Sequence, residues 1–239
     1  MKRNNGQFKN GLKNGLPIGL GYFSVSFAFG AQATIAGIPL FMSVFMSMTN
    51  LTSAGQLAGL TIIASFGTVL EIILTQLVIN SRYFLMSITL SQKLDDSFTF
   101  KHRLLCSAFV TDEIFAVASS RPKTFGRAFF YGLVILPYIG WASGTLLGGV
   151  AAGLLPSQVS NALGLALYAM FIAIIVPPST KSVGVFFAVA LATAISCLLY
   201  YLPVVNTISE GLKYIISAVV SACVTALIFP APIEQKEVE

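Results

Sequence analysis

The sequence predicts an all-α, polytopic membrane helix bundle, and two features of its composition support that prediction. Of 239 residues, 56% are hydrophobic and only 10% are charged, whereas soluble domains carry about 25% charged residues. The charges are also clustered, and four long stretches contain no Asp, Glu, Lys, Arg or His: 14–70, 128–180, 182–209 and 214–233. One spanning helix needs about 20 mostly apolar residues. The first two stretches therefore have room for two spans each, and the last two for one each.

Six full spans follow from these stretches and from the turn residues between them. Proline marks most of the ends, because it lacks a backbone donor and disfavours helix in the residue before it. The ends marked in this way are Gly37-Ile38-Pro39, Leu155-Pro156-Ser157, Pro177-Pro178-Ser179 and Pro203. The predicted spans are 16–38, 54–80, 128–152, 158–177, 183–203 and 213–230. Segment 39–53 is apolar but rich in Ser, Thr and Met, which predicts a short helix in the membrane or an earlier start of the second span.

The segment between Asn80 and Arg127 does not fit this count. Two apolar pieces, 83–91 and 104–118, flank a polar loop at 92–103, and each piece is too short for an ordinary span. They form either a hairpin whose loop faces outward or a re-entrant element that returns to the same side, and the sequence leaves both open. Non-helical backbone at membrane depth is tolerated only beside protein or a water-filled cavity. Either arrangement therefore places this segment, near 83–118, beside a cavity.

Basic residues predict that both termini lie in the cytoplasm. Four of them lie within 2–13 and three within 121–127, whereas the turn at 153–157 carries no charge. Cytoplasmic segments carry the excess of Lys and Arg, and only Lys213 departs from this pattern. The apolar run after the basic start is too long for a cleavable signal peptide. The predicted division is a cytoplasmic N-terminus (1–13), a single transmembrane transport domain (14–231) and a cytoplasmic tail (232–239).

Small residues recur at every fourth position in two stripes. These are Gly11-Gly15-Gly19 and Gly140-Gly144-Gly148. Such stripes let helix backbones approach closely, so helix packing is their simplest interpretation. Because they open the two halves of the chain, they also hint at a degenerate internal repeat, as in many transporters. A homo-oligomer stays possible, since the sequence does not say which helix each stripe meets.

Ionisable groups inside a membrane cost about 2.5–3.5 kcal/mol and usually face the bundle interior. Three places qualify: Glu71 near the middle of the second span, Asn80-Ser81-Arg82 at its end, and Thr111-Asp112-Glu113 in the short apolar segment. Helix geometry puts Arg82 within about 20° of Glu71 but about 16 Å away, so the two share a face without pairing. The structural alternatives are a hydrogen-bonded carboxyl for Glu71 and an interfacial anchor for Arg82. Adjacent carboxylates point about 100° apart and need different partners.

Five ordered motifs carry a resemblance to a known family. They are Gly15-Leu16-Pro17-Ile18-Gly19, Phe29-Gly30, Ser53-Ala54-Gly55-Gln56, Asn80-Ser81-Arg82-Tyr83 and Thr111-Asp112-Glu113-Ile114-Phe115. In this order and spacing they resemble the AzlC family, the large subunits of bacterial branched-chain amino acid exporters, over roughly residues 11–180. Thr52-Ser53-Ala54-Gly55 replaces the aromatic-Ala-Gly run that the family usually has before Gln56, and Glu71 stands where an apolar or hydroxyl residue is expected. Both departures bear on the substrate.

The resemblance implies a secondary transporter subunit of the bacterial inner membrane. Such a subunit would export branched-chain or similar hydrophobic amino acids, driven by protons, together with a small AzlD-type hydrophobic subunit and without a cofactor. A zwitterion needs a cation or a helix N-terminus for its carboxylate and a carboxylate or carbonyls for its ammonium. Arg82 could serve the first, and Asp112 or Glu113 the second. A buried carboxyl is also a candidate proton carrier, which suits Glu71 or Glu113. The candidate substrate-binding or coupling residues are Gln56, Glu71, Asn80, Arg82, Thr111, Asp112 and Glu113.

Other classes of protein fit the sequence less well. The sequence lacks the side chains that an intramembrane enzyme would need. His102 is the only histidine and lies in a polar loop, so a serine nucleophile has no base beside it. Asp112 is the only membrane-embedded aspartate, so a paired-aspartate site is also missing. Three isolated cysteines predict neither a metal site nor a disulfide framework. The net charge of +5 reflects Lys and Arg flanking the spans, so it does not indicate nucleic acid. A channel or transporter for another small solute and a membrane scaffold remain the alternatives.

Overall fold

The described residues, 2–154, 156–202 and 208–230 of a computed structural model, are almost entirely helical. Their helices are α1 (Lys2–Ile35), α2 (Leu40–Thr49), α3 (Ser53–Ala64), α4 (Val69–Ser91), α5 (Phe100–Ser107), α6 (Asp112–Ser119), α7 (Arg127–Ala151), α8 (Ser157–Lys181), α9 (Val183–Tyr201) and α10 (Glu210–Ile228). The all-α prediction is therefore confirmed. Five of these helices, α1, α4, α7, α9 and α10, are long and apolar enough to cross a membrane. A sixth crossing by α8, 25 residues long, stays a prediction, as does the internal repeat.

The predicted second span at 54–80 is wrong, because two helices share it. Helix α3 ends at Ala64, and two residues later Phe66 adopts a left-handed φ of 55°. The Gly67 N–H donates to the Ile62 carbonyl at 2.8 Å, the six-to-one bond that closes a Schellman helix end. The chain is helical again from Val69, so the break is confined to residues 65–68.

A capping box starts α4 directly after that break. The Thr68 N–H donates to the Glu71 carboxylate at 2.8 Å, and the Glu71 N–H donates to the Thr68 hydroxyl at 3.2 Å. This reciprocal pair satisfies two donors that the first turn would leave open. Helix α4 then runs to Ser91, so the apolar piece 83–91 is its second half and not a separate element. Glu71 accordingly lies in the first turn of the helix, and Arg82 lies near its middle.

The other predicted boundaries are closer to the structure. Helix α1 ends where predicted, in a Schellman turn with Gly37 at φ 84°, but it begins at Lys2 instead of residue 16. The predicted short helix within 39–53 is confirmed as α2. Pro177 and Pro178 lie inside α8 and do not end it, which membrane helices tolerate when neighbouring groups satisfy the freed carbonyls. Pro203 and the predicted tail lie outside the described residues.

The chain divides into two compact units. The first comprises residues 1–60 and 79–167, and the second comprises 61–78 and 168–239. In the second unit, α9 packs against α10, where the buried Lys213 ammonium lies 2.9 Å from the Glu210 carboxylate and 5.7 Å from the Tyr200 ring. The candidate residues other than Glu71 lie in the first unit.

The two glycine stripes meet each other in the first unit. A Cβ on Gly19 would lie 2.8 Å from the Leu136 carbonyl oxygen, and one on Gly148 would overlap the Phe27 carbonyl oxygen. Gly140 in turn meets the backbone of Gly19. Residues later in α1 contact residues later in α7, so the two helices run parallel and start at the same end of the unit. The packing interpretation of the stripes is thus confirmed, and this surface is taken up within the chain.

The polar loop at 92–99 lies at that same end. The Asp95 N–H donates to the Phe125 carbonyl at 3.1 Å, and the Phe125 N–H donates to the Lys93 carbonyl at 3.0 Å. A Cβ on Gly126 would lie 2.8 Å from the Gln7 side chain of α1 and 2.9 Å from the Asp95 carboxylate. Helices α5 and α6 therefore leave from and return to one end of the unit. The choice between a hairpin and a re-entrant element near 83–118 stays a prediction.

Candidate functional site

The Arg82 guanidinium forms an ion pair with Asp112 within the first unit. Arg82 Nη1 lies 3.0 Å from Asp112 Oδ2, and the two side chains are 40% and 37% exposed. Arg82 is about 20 Å along α4 from Val69 and about 14 Å from Ser91. Its Nε atom is buried and has no hydrogen-bond partner among the described residues. The position is mid-helix, so the predicted place of Arg82 at the end of a span is wrong.

The adjacent carboxylate of Glu113 has a different partner, as the sequence predicts. Thr111 is the N-cap of α6 and accepts a hydrogen bond from the Ile114 N–H at 3.4 Å. The Tyr22 hydroxyl lies 2.6 Å from Thr111 Oγ1 and 2.5 Å from Glu113 Oε2. Negative side chains in a first helical turn are also stabilised by the helix dipole. Both carboxylates are therefore held without pairing to one another.

The turns of two helix pairs, α2–α3 and α5–α6, lie beside this ion pair. Arg82 Nη2 donates to the Tyr83 hydroxyl at 3.3 Å, and that hydroxyl donates to Thr52 Oγ1 at 3.1 Å. Thr52 lies in the turn between α2 and α3, and Asp112 follows the turn between α5 and α6. In transporters, substrate and ion sites are commonly formed where interrupted helices end inside the membrane. The Arg82 network, here Arg82, Asp112, Tyr83 and Thr52, has this arrangement.

Gln56 is fully buried and bridges three helices beside the network. Its amide nitrogen donates to Ser47 Oγ of α2 at 3.0 Å, and its amide oxygen accepts from Trp141 Nε1 of α7 at 3.1 Å. Ser47 Oγ lies 2.6 Å from Thr145 Oγ1, and the Trp141 ring stands edge-on to Tyr22 with centroids 5.1 Å apart. Unpaired buried polar groups are costly, so this chain of bonds holds α2 and α3 against α7. Both ends of the Gln56 amide are therefore engaged within the chain.

Glu71 shares helix α4 with Arg82 but is not part of the Arg82 network. Glu71 lies in the second unit, where its carboxylate serves the capping box and takes a further hydrogen bond from Ser209. The structural interpretation of Glu71 is thus the one that the geometry supports. It also lines a polar cavity of 300 Å³ with the Glu210–Lys213 pair. Asn80 is half-buried on α4, two residues before Arg82.

Sequence reasoning missed the hydroxyl and indole groups of the site. Tyr83 is in the quoted motif, but its role appears only when Thr52 is brought next to it. Tyr22 and Trp141 carry no signal of their own, because aromatic residues are common along apolar helices. Their periodicity could have suggested buried positions, but the partners come from helices more than 80 residues away in sequence.

These features define a class of protein: a polytopic membrane protein with charged groups held at the meeting point of interrupted helices, as in membrane transport. Comparison with known proteins agrees. Residues 17–155 match the family described as AzlC protein, so the chain belongs to the AzlC family and is a membrane-transport component. It is 27% identical over 229 residues to "Inner membrane protein YgaZ" of Escherichia coli (strain K12), covering 92% of this chain and 90% of that protein. No solved structure matches the chain.

Proposed function

We propose that this chain exports branched-chain or similarly hydrophobic amino acids, and that the Arg82–Asp112 pair binds the zwitterionic part of the substrate. The observation that supports the proposal is this ion pair, about 3.0 Å long and half-exposed, at the turns of two interrupted helix pairs. The family is the second support, since the chain belongs to AzlC.

An internal ion pair is chemically matched to a zwitterion. The substrate carboxylate replaces Asp112 on the guanidinium of Arg82, and the substrate ammonium takes the Asp112 carboxylate. Two ion pairs replace one, so no charge is left uncompensated at any stage, which limits the desolvation cost. Arg82 Nε supplies a donor that nothing else uses among the described residues, and a planar guanidinium binds a carboxylate through two donors.

The proposal includes proton coupling and a small AzlD-type partner subunit. Glu113 is the carboxyl that the proposal assigns to the proton, because its neighbour Tyr22 is a neutral hydroxyl and not a cation. Glu71 is not assigned this role, since hydrogen bonds from Thr68 and Ser209 occupy its carboxylate. The partner is proposed on family membership alone.

The direct test is export from cells fed dipeptides that release leucine, isoleucine and valine. Cells with this chain and its partner should accumulate these amino acids outside faster than cells without it. Asp112→Asn should reduce that rate about tenfold or more, because losing one charge-assisted hydrogen bond costs about 1.5–3 kcal/mol. Asp96→Asn is the matched control, since Asp96 is an exposed aspartate of the 92–99 loop, and it should leave export unchanged.

A second measurement separates a transporter from a channel. The chain and its partner, in proteoliposomes, should move leucine against its gradient when a proton gradient is imposed and stop when a protonophore removes it. Movement only down the leucine gradient would favour a channel. Equal export with and without the chain would refute the substrate assignment, and normal export by Asp112→Asn would refute the site.

A further inference from the structure

An apolar groove of 280 Å³ lies in the first unit and is lined by none of the residues of the Arg82 network. It runs between the second half of α4, the 92–99 loop, α5 and α7. Its floor is formed by buried side chains: Leu90, Phe98, Cys106, Val110 and Phe130. On the α4 side, Phe84 and Ile88 are 68% and 46% exposed, so the groove opens between exposed apolar side chains.

One basic side chain, that of Arg103, lines the groove. It is exposed, and no hydrogen bond, ion pair or ring contact engages it within the described part of the chain. Two other basic side chains near this end of the unit are engaged: Arg127 Nη1 lies 2.8 Å from His102 Nε2, and Arg121 lies 4.0 Å from the centre of the Phe129 ring. The Arg103 guanidinium is thus available to a ligand that also occupies the groove.

The position of Arg103 suits the surface of a membrane. Helix α5 starts directly after the 92–99 loop, at the end of the unit where α1 and α7 begin. That end carries the basic residues of 2–13 and 121–127. From Arg103 the groove continues past Ser107 to Val110, toward the membrane interior. A ligand that fits has an apolar chain in the groove and a negative group at Arg103.

We infer that this groove binds one acyl chain of an anionic phospholipid, with the lipid phosphate on Arg103. A zwitterionic lipid would bring its own cation close to Arg103 and would bind less well. Basic pockets between membrane helices are known to take anionic headgroups, and one surface Lys or Arg favours an anionic lipid by about fivefold. The inference does not depend on what the protein transports.

The test uses a tryptophan at the rim of the groove as a reporter. Phe84→Trp is reconstituted into phosphatidylcholine vesicles that contain a minor fraction of lipid with brominated acyl chains, either phosphatidylglycerol or phosphatidylcholine. Bromine quenches a tryptophan that it touches. The native Trp141 is 3% exposed, and its signal is subtracted with the chain that lacks the reporter. Brominated phosphatidylglycerol should quench the reporter with an apparent affinity about fivefold higher than brominated phosphatidylcholine.

Three variants in the reporter background decide the assignment. Arg103→Gln should abolish the preference, and Lys101→Gln, an exposed neighbour on α5 that does not line the groove, should keep it. Ser107→Phe fills the groove from an exposed position and should reduce quenching by both lipids. The inference is overturned if the reporter shows no preference, if Arg103→Gln keeps it, if Lys101→Gln also removes it, or if Ser107→Phe has no effect.

Discussion

A double-mutant cycle on Arg82 and Asp112 separates a substrate-binding pair from one that only joins two helices. The variants are Arg82→Gln, Asp112→Asn and the double substitution. The side chains are 40% and 37% exposed, so their attraction lies between that of surface pairs, about 0.2–1 kcal/mol, and the roughly 4 kcal/mol of two charges in contact at an effective dielectric constant of about 20. We expect a coupling free energy of about 1–2 kcal/mol.

The coupling is measured as thermal stability of the purified chain in detergent. Each single variant should lower the melting temperature by roughly 2–8 °C, given about 2–4 °C per kcal/mol for a chain of this size. The melting temperature of the double variant should fall by clearly less than the sum of the two single losses, because the double variant leaves no unpaired charge. Additive losses, within about 0.3–0.5 kcal/mol, would refute the ion pair as an interaction.

Export from the same three variants gives the functional half of the cycle. If the pair binds substrate, the double variant regains stability but not export, since neither charge of the zwitterion has a partner. Recovery of export together with stability would refute the substrate role and leave a structural pair. Arg82→Lys keeps the charge but loses the two-donor fork, so it should raise the substrate concentration needed for half-maximal export.

Other predictions follow from the fold and the site. Gly148→Leu should prevent stable assembly of the first unit, because even a Cβ there overlaps the Phe27 backbone, whereas Gly21→Ala, with nothing within 4 Å, should be tolerated; equal detergent-extracted yields of the two would contradict the close α1–α7 contact. In a cysteine-free background, Thr124→Cys should resist an impermeant thiol reagent added outside and Gly153→Cys, at the other end of α7, should react; the reverse result would invert the predicted orientation. Glu113→Gln removes an ionisable group and should weaken the dependence of export on pH, measured as the export rate across a series of external pH values, and an unchanged profile would remove Glu113 as the proton carrier.

The amino-acid sequence by itself determined the properties that depend on composition and on local spacing. Hydrophobic content and charge-free stretches are sufficient for a membrane helix bundle, because the bilayer requires every backbone group to be bonded within helices. The stripe of glycines at Gly140 and Gly144 indicates close helix packing without reference to a partner. The divergence of Asp112 and Glu113 follows from the 100° step of a helix. Each of these predictions needs only residues that are near one another in the chain.

The tertiary structure decided everything that depends on contacts between distant segments. No proline marks the break at 65–68, which forms because Phe66 takes a left-handed φ and Thr68 starts a capping box. Apolar residues continue across this break, so hydropathy alone cannot detect it. Because the helix after the break ends later than predicted, Arg82 lies near the middle of α4 and not at a helix end. The partner of Glu113 is likewise Tyr22, 91 residues away. Such pairings depend on how whole helices pack against one another, and a local sequence pattern does not report the energy of that packing.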